Sequence, residues 1–210
     1  MSYAPAPAPL SRASLVIGLY SGMAIVAIVI AAGRGDPNVY RLGDVTPFWL
    51  LLGPIAGLVI GIIVVALTRL ASAKFRWARD LHASFRDLLG QLSGREIVIL
   101  ALASSIGEEL LFRGALLPWI GVWWQAVVFA LLHVGRPGHR FIPWTISAFV
   151  LGVAFGWLAV ATHNLGGPIA AHFAINFLNL RYIVAVAPSS PASPPSPPTA
   201  PVAASVRARA

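Results

Sequence analysis

The chain contains no cysteine. A disulfide framework, a thiolate metal site and a cysteine nucleophile are therefore excluded together. Charge is scarce as well. Of the 210 residues 10% are charged and 58% hydrophobic, whereas soluble domains carry roughly a quarter charged residues. This balance excludes a soluble globular domain. Acids are the scarcer charge, with 7 Asp+Glu against 15 Lys+Arg and a formal net charge of +8. In a soluble protein such an excess would suggest nucleic acid. Here the basic residues flank long apolar runs, the arrangement of a membrane protein with its positive loops inside, and no nucleic-acid partner is expected.

Stretches without charge locate the spans. They run Ala13–Gly33, Val45–Thr68, Gly114–Gly135 and Phe141–Leu180. About 20 apolar residues cross the hydrocarbon core, so the first three hold one helix each. The fourth holds two, broken at His163-Asn164-Leu165-Gly166-Gly167-Pro168. A further helix near Ile97–Leu117 is apolar except for Glu108, Glu109 and Arg113. The expected fold is an all-α polytopic membrane helix bundle of about six transmembrane helices, near 14–33, 48–69, 96–117, 119–134, 143–162 and 167–186. The first is expected to be a retained span. Its apolar run exceeds the about 7–15 residues of a signal peptide, although Ala31-Ala32-Gly33 offers small residues.

The chain divides accordingly. Residues 1–12 form an N-terminal segment expected to be disordered, and 13–70 hold two spans. Residues 71–94 form a cytoplasmic amphipathic connector, 95–186 a core of four spans, and 187–210 a Pro/Ala-rich tail expected to be disordered. In the connector, Leu81, Phe85, Leu88 and Leu92 recur at helical spacing between basic residues. That pattern suits a helix lying on the inner leaflet or one packed on the spans. The connector, the loop with Arg136 and Arg140, and the C-terminal Arg181, Arg207 and Arg209 carry the positive excess. The protein is thus expected in the plasma or inner membrane, multi-pass, with both termini cytoplasmic. Trp119, Trp123 and Trp124 mark the outer interface at the turn between the third and fourth spans.

Carboxylates inside a membrane helix are expensive, roughly 2.5–3.5 kcal/mol each on the insertion scale. Of the seven acids only Glu108 and Glu109 sit well inside a span. Glu109 and Arg113 are four residues apart and share a stripe, so they can form an ion pair. Glu108 points about 100° away and is left as the candidate base. The alternative is a purely structural cluster of all three. His133 follows Phe129 by one turn, and His172 and Asn176 lie one turn apart. With a turn at Pro118–Gly121, Glu108 and His133 come roughly level in depth. His172 fits less well, because it follows the outer break by only a few residues. Either its helix begins at depth or the boundary lies elsewhere.

Three segments together resemble a known family. Glu108-Glu109-Leu110-Leu111-Phe112-Arg113-Gly114 matches an EExxxR motif. Phe129 to His133 matches FxxxH, and His172 to Asn176 matches HxxxN. The region 95–186 resembles the CPBP intramembrane glutamic endopeptidases, also called ABI proteases, which include the type II CAAX prenyl proteases. The resemblance implies that Glu108 and His133 activate the attacking water while His172 and Asn176 stabilise the oxyanion. Glu109, Arg113 and Phe129 would support the site structurally.

Hydrolysis needs a base near working pH and donors aimed at the developing oxyanion. The Glu108–His133 pair answers the first need, and a neutral His172 with the Asn176 amide could answer the second. No serine lies in a nucleophile motif, and HExxH is absent. No cofactor and no metal are expected, and a zinc-dependent protease is the chemical rival. A proton-linked transporter lacks the expected repeat symmetry. A non-catalytic membrane protein of the bacteriocin self-immunity type is the functional alternative. The expected partners are the lipid bilayer and a membrane-associated protein or peptide substrate, a C-terminal sorting tail among the candidates, as in the myxosortase branch.

Overall fold

Helix starts follow local chemistry. Ser11 accepts a hydrogen bond from the Ser14 amide at 3.1 Å and opens α1, Arg12–Gly33. Pro47 occupies the first turn of α2, Pro47–Lys74. Ser93 and Glu96 close a reciprocal capping box on α4, Gly94–Glu109. Between them lies α3, Arg76–Leu89, ended by Gly90 at φ 62°. After α4 the chain winds as a π-helix over Leu110–Leu116, then continues as α5, Leu117–Leu132. The order is completed by α6, Gly138–Thr162, and α7, Gly166–Ala185. This computed structural model describes residues 11–135 and 138–185, without the side chain of residue 139. The two tails expected to be disordered lie, apart from Ser11 and Arg12, outside the described residues.

The protein is an all-α bundle of membrane-crossing helices. Four described stretches are long and apolar enough to cross a membrane: Arg12–Gly33, Pro47–Lys74, Gly94–Leu132 and Arg140–Thr162. The expected third and fourth spans fall within the single stretch Gly94–Leu132, yet the chain reverses inside it. Gly121 leaves helical geometry at φ 79°, ψ 170°. Glu108 and His133 would be about 37 Å apart along an unbroken helix, but their side chains are 3.8 Å apart. The sixth expected span, α7, is not among those four stretches. His172, Asn176, Asn179 and Arg181 lower its apolar character.

The outer faces of α1 and α2 expose Leu19, Ile25, Val29, Leu51, Ile55 and Ile63, as lipid-facing surfaces do. Their inner contacts use small residues. Gly53, Gly57 and Gly61 of α2 recur every four residues and are all buried. Gly57 lies against the Gly167 backbone, and Gly61 against Ala171 and Ala174. Close backbone approach of this kind drives packing where hydrophobic burial does not distinguish helix from lipid. A methyl at Gly57 would run into the Gly167 carbonyl. Gly57→Ala is therefore expected to lower stability by about 1–3 kcal/mol, read as an earlier thermal midpoint in detergent. Gly22→Ala, which meets nothing within 4 Å, should melt with the parent. Equal midpoints for both variants would refute the packing argument.

The break before α7 is buried within the bundle. Asn164 and Leu165 are fully buried. The Asn164 amide donates to the carbonyls of Thr162 at 2.8 Å and Trp49 at 3.3 Å, and its Oδ1 accepts from the Gly166 amide at 2.8 Å. The loop after α1 covers this turn, with the Leu165 amide bonded to the Tyr40 carbonyl at 3.0 Å. Irregular backbone is tolerated at depth when its polar groups are satisfied in this way.

The helix expected in the connector is α3, and it packs on the spans. Phe85 meets Phe141 and Trp144 edge-on at 5.3 and 5.1 Å, and Arg86 donates to the Ile183 carbonyl at 2.9 Å. Leu88 faces outward. His82 bonds Ser72 Oγ at 3.1 Å. Burial first, then the nearby charges of Arg69 and Arg86, hold its imidazole below the ordinary value.

Candidate active site

The end of α4 carries Glu108 and Glu109, which are 8% and 0% exposed. Adjacent residues on a helix point about 100° apart, so the two carboxylates meet different partners. Glu108 Oε2 faces two imidazoles, with His133 Nε2 at 3.8 Å and His172 Nε2 at 3.7 Å. It makes no hydrogen bond within the protein. An oxygen with its bonding capacity unspent, beside two ring nitrogens, suits a proton acceptor.

Both histidines are oriented from behind. His133 ends α5, and its Nδ1 bonds the Phe129 carbonyl at 2.7 Å. A carbonyl only accepts, so Nδ1 carries the hydrogen and the neutral ring turns the Nε2 lone pair toward Glu108. His172 sits in the second turn of α7, with Nδ1 2.7 Å from Glu109 Oε1. The same oxygen accepts from Arg113 Nη1 at 2.8 Å. Glu109 is thus an acceptor for both, and neutral His172 also presents an Nε2 lone pair. This revises the expectation of a neutral His172 as an oxyanion donor. Its Nε2 donates only when the ring is an imidazolium.

Arg113 and Glu109 form the ion pair that their spacing suggested, and neither is exposed at all. The guanidinium lies 4.5 Å from the Phe129 ring centre and 5.5 Å from that of Phe155, a cation–π arrangement. The Phe129 ring also lies 4.2 Å from the His133 ring. One aromatic side chain therefore packs both the charge pair and a catalytic candidate.

Asn176 lies one turn beyond His172 on α7 and donates from Nδ2 to Ser104 Oγ at 2.9 Å. Ser104 in turn lies one turn before Glu108 on α4. The structure thus gathers Glu108, His133 and His172 directly, and places Asn176 on the same α4–α7 contact one turn away. The His133 side chain is 18% exposed against 10% for Glu108 and 9% for His172, so of these three His133 is the most open.

Sequence reasoning missed three neighbours. Tyr20 of α1 brings its phenol against the Glu108 carboxylate, and Gly107 makes room for that side chain. Trp144 of α6 meets the His133 ring edge-on at 5.0 Å. Nothing local in either segment signals these contacts. Ser104 was detectable, because it occupies the Glu108 face at i−4. Asn179, by contrast, turns away from the site and accepts from Arg69 at 2.9 Å. Among the described residues no group of three or more His, Asp or Glu side chains is placed to hold a metal ion.

These features define a polytopic helical membrane protein with a buried carboxylate–imidazole centre. Residues 92–178, which contain all four candidate residues, match the family model of the Rce1-like type II CAAX prenyl endopeptidases. It is also similar to the uncharacterized protein YpbD of Bacillus subtilis (strain 168), with 39% identity over 93 residues. That alignment covers 43% of this chain and 47% of YpbD, so the chain spans about half the length of its curated relative. No solved structure matches the chain.

Proposed function

We propose that the chain is an intramembrane endopeptidase that hydrolyses a peptide bond of a membrane-associated protein or peptide with glutamate- and histidine-activated water. The observation that carries this reading is the unpaired Glu108 Oε2, faced by two imidazole Nε2 atoms at 3.7 and 3.8 Å. Glu108 and neutral His133 offer two acceptors, one for each hydrogen of a water molecule. The water's lone pair is then free to attack the scissile carbonyl. The proton taken from the water passes to the leaving amine. Asn176 donates an amide hydrogen to the oxyanion, and His172 donates from Nε2 in its charged form. Glu109, 2.7 Å behind it, compensates that charge.

The match of residues 92–178 to endopeptidases supports peptide hydrolysis over the transporter and self-immunity alternatives. A substrate held in the bilayer, such as a C-terminal sorting tail, suits a centre built between spans. The plasma membrane with both termini cytoplasmic remains the reading of the charge pattern. Arg86 of α3 bonds the Ile183 carbonyl near the end of α7, and Arg79 bonds the Ser72 and Ala73 carbonyls at the end of α2, which puts this basic helix beside the C-terminal ends of both.

The test is cleavage of transmembrane peptides by detergent-purified protein, with and without exhaustive EDTA or phenanthroline. Turnover should survive chelation unchanged, because this water activation needs no ion. Loss of turnover that zinc alone restores would establish the metalloprotease instead.

A further inference from the structure

Helices α4 and α7 meet as an antiparallel ladder. Moving four residues back along α4, from Glu108 to Ser104, corresponds to moving four residues forward along α7, from His172 to Asn176. One helical turn on each side produces the matching rungs. The first rung holds the candidate base and a histidine. The second is a hydrogen bond of 2.9 Å between two side chains 72 residues apart in sequence.

Ser104 is buried, and its hydroxyl bonds the Ala101 carbonyl in the turn behind it. Serines inside helices commonly bond back in this way. With its hydrogen directed at Ala101, Oγ turns a lone pair toward Asn176 and accepts one of the two amide hydrogens. A carboxamide has two ends of almost equal size and opposite hydrogen-bonding sense. Rotated by half a turn, it would present Oδ1 where an oxyanion needs a donor.

We propose that Ser104 is the positioning residue of the oxyanion site, fixing the Asn176 carboxamide so that its second N–H stays available to the scissile carbonyl oxygen. This rests on the oxyanion role proposed for Asn176. Ser104 does not touch substrate, and it acts only through Asn176. Releasing the carboxamide lets it sample the repelling orientation, so chemistry slows while substrate binding is retained.

The experiment is steady-state kinetics on full-length, detergent-purified Ser104→Ala, Asn176→Ala, the double variant and Ser104→Thr, using one transmembrane peptide substrate. Asn176→Ala should lower kcat by roughly 10²–10³-fold, the effect of losing one oxyanion donor. Ser104→Ala should lower kcat by about tenfold with KM unchanged, as expected for a lost hydrogen bond. The double variant should be no slower than Asn176→Ala alone, because nothing remains to be positioned. Ser104→Thr, which keeps the hydroxyl, should recover most of the loss. A purely structural serine would instead slow both backgrounds equally. That additivity, or a Ser104→Ala enzyme as fast as the parent, would overturn the proposal. Full turnover in Asn176→Ala would overturn the oxyanion reading itself, and that single variant tells the two failures apart.

Discussion

Glu108→Gln is expected to lower turnover by roughly 10²–10⁴-fold, the usual contribution of a positioned general base, while the protein folds and inserts as the parent does. The amide keeps the size and polarity of the carboxylate but cannot take a proton. The folding half of the expectation follows from the surroundings. Glu108 Oε2 makes no hydrogen bond in the protein, and its nearest ring nitrogens stand at 3.7 and 3.8 Å. The Tyr20 phenol, which lies against this carboxylate, can donate equally to a glutamine carbonyl oxygen, so the contact survives the substitution. The measurement is initial cleavage rate beside thermal midpoint, both in detergent. A variant within tenfold of the parent rate would remove Glu108 from the base role. A variant that failed to fold would show that the carboxylate is structural.

Glu109 and Arg113 should behave in the opposite way. Either replaced alone is expected to destabilise the bundle by about 3–5 kcal/mol, since each substitution strands a buried charge. Both side chains are 0% exposed and share a 2.8 Å contact. Glu109→Leu with Arg113→Met together should be more stable than either single change, because no lone charge remains. The double variant should nevertheless stay inactive, since His172 loses the acceptor at 2.7 Å that orients its ring. Melting curves of the three variants decide the first point, and cleavage rates the second. Singles as stable as the parent would show that the ion pair contributes nothing to the fold.

The contrast between these neighbours was partly legible in the sequence. A spacing of four puts Glu109 and Arg113 on one stripe, and Glu108 falls off it whatever the bundle looks like. The second partner of Glu109 was not legible. His172 lies 63 residues away, and no local period reports which helix faces which. The same holds for Tyr20, because α1 lies far outside the motifs and its approach to Glu108 depends on packing at Gly107.

The apolar helices, the order of the elements and the turn that brings Glu108 level with His133 were determined by the sequence alone. Hydropathy, helix period and a glycine able to take φ 79° are properties of short segments. The motifs that single out Glu108, His133, His172 and Asn176 as candidates are local too, and so could be read from the sequence. Tertiary structure alone decided how that set is wired. It placed the start of α7 inside the bundle, where Asn164 satisfies the broken backbone. It wound Leu110–Leu116 into a π-helix whose Gly114 seats against Val39, although the segment carries ordinary helix formers. It also set both Nδ1 hydrogens away from Glu108, through the Phe129 carbonyl and the Glu109 carboxylate. A histidine's tautomer is chosen by whichever acceptor meets its ring, and for His172 that acceptor arrives only when α4 and α7 pack.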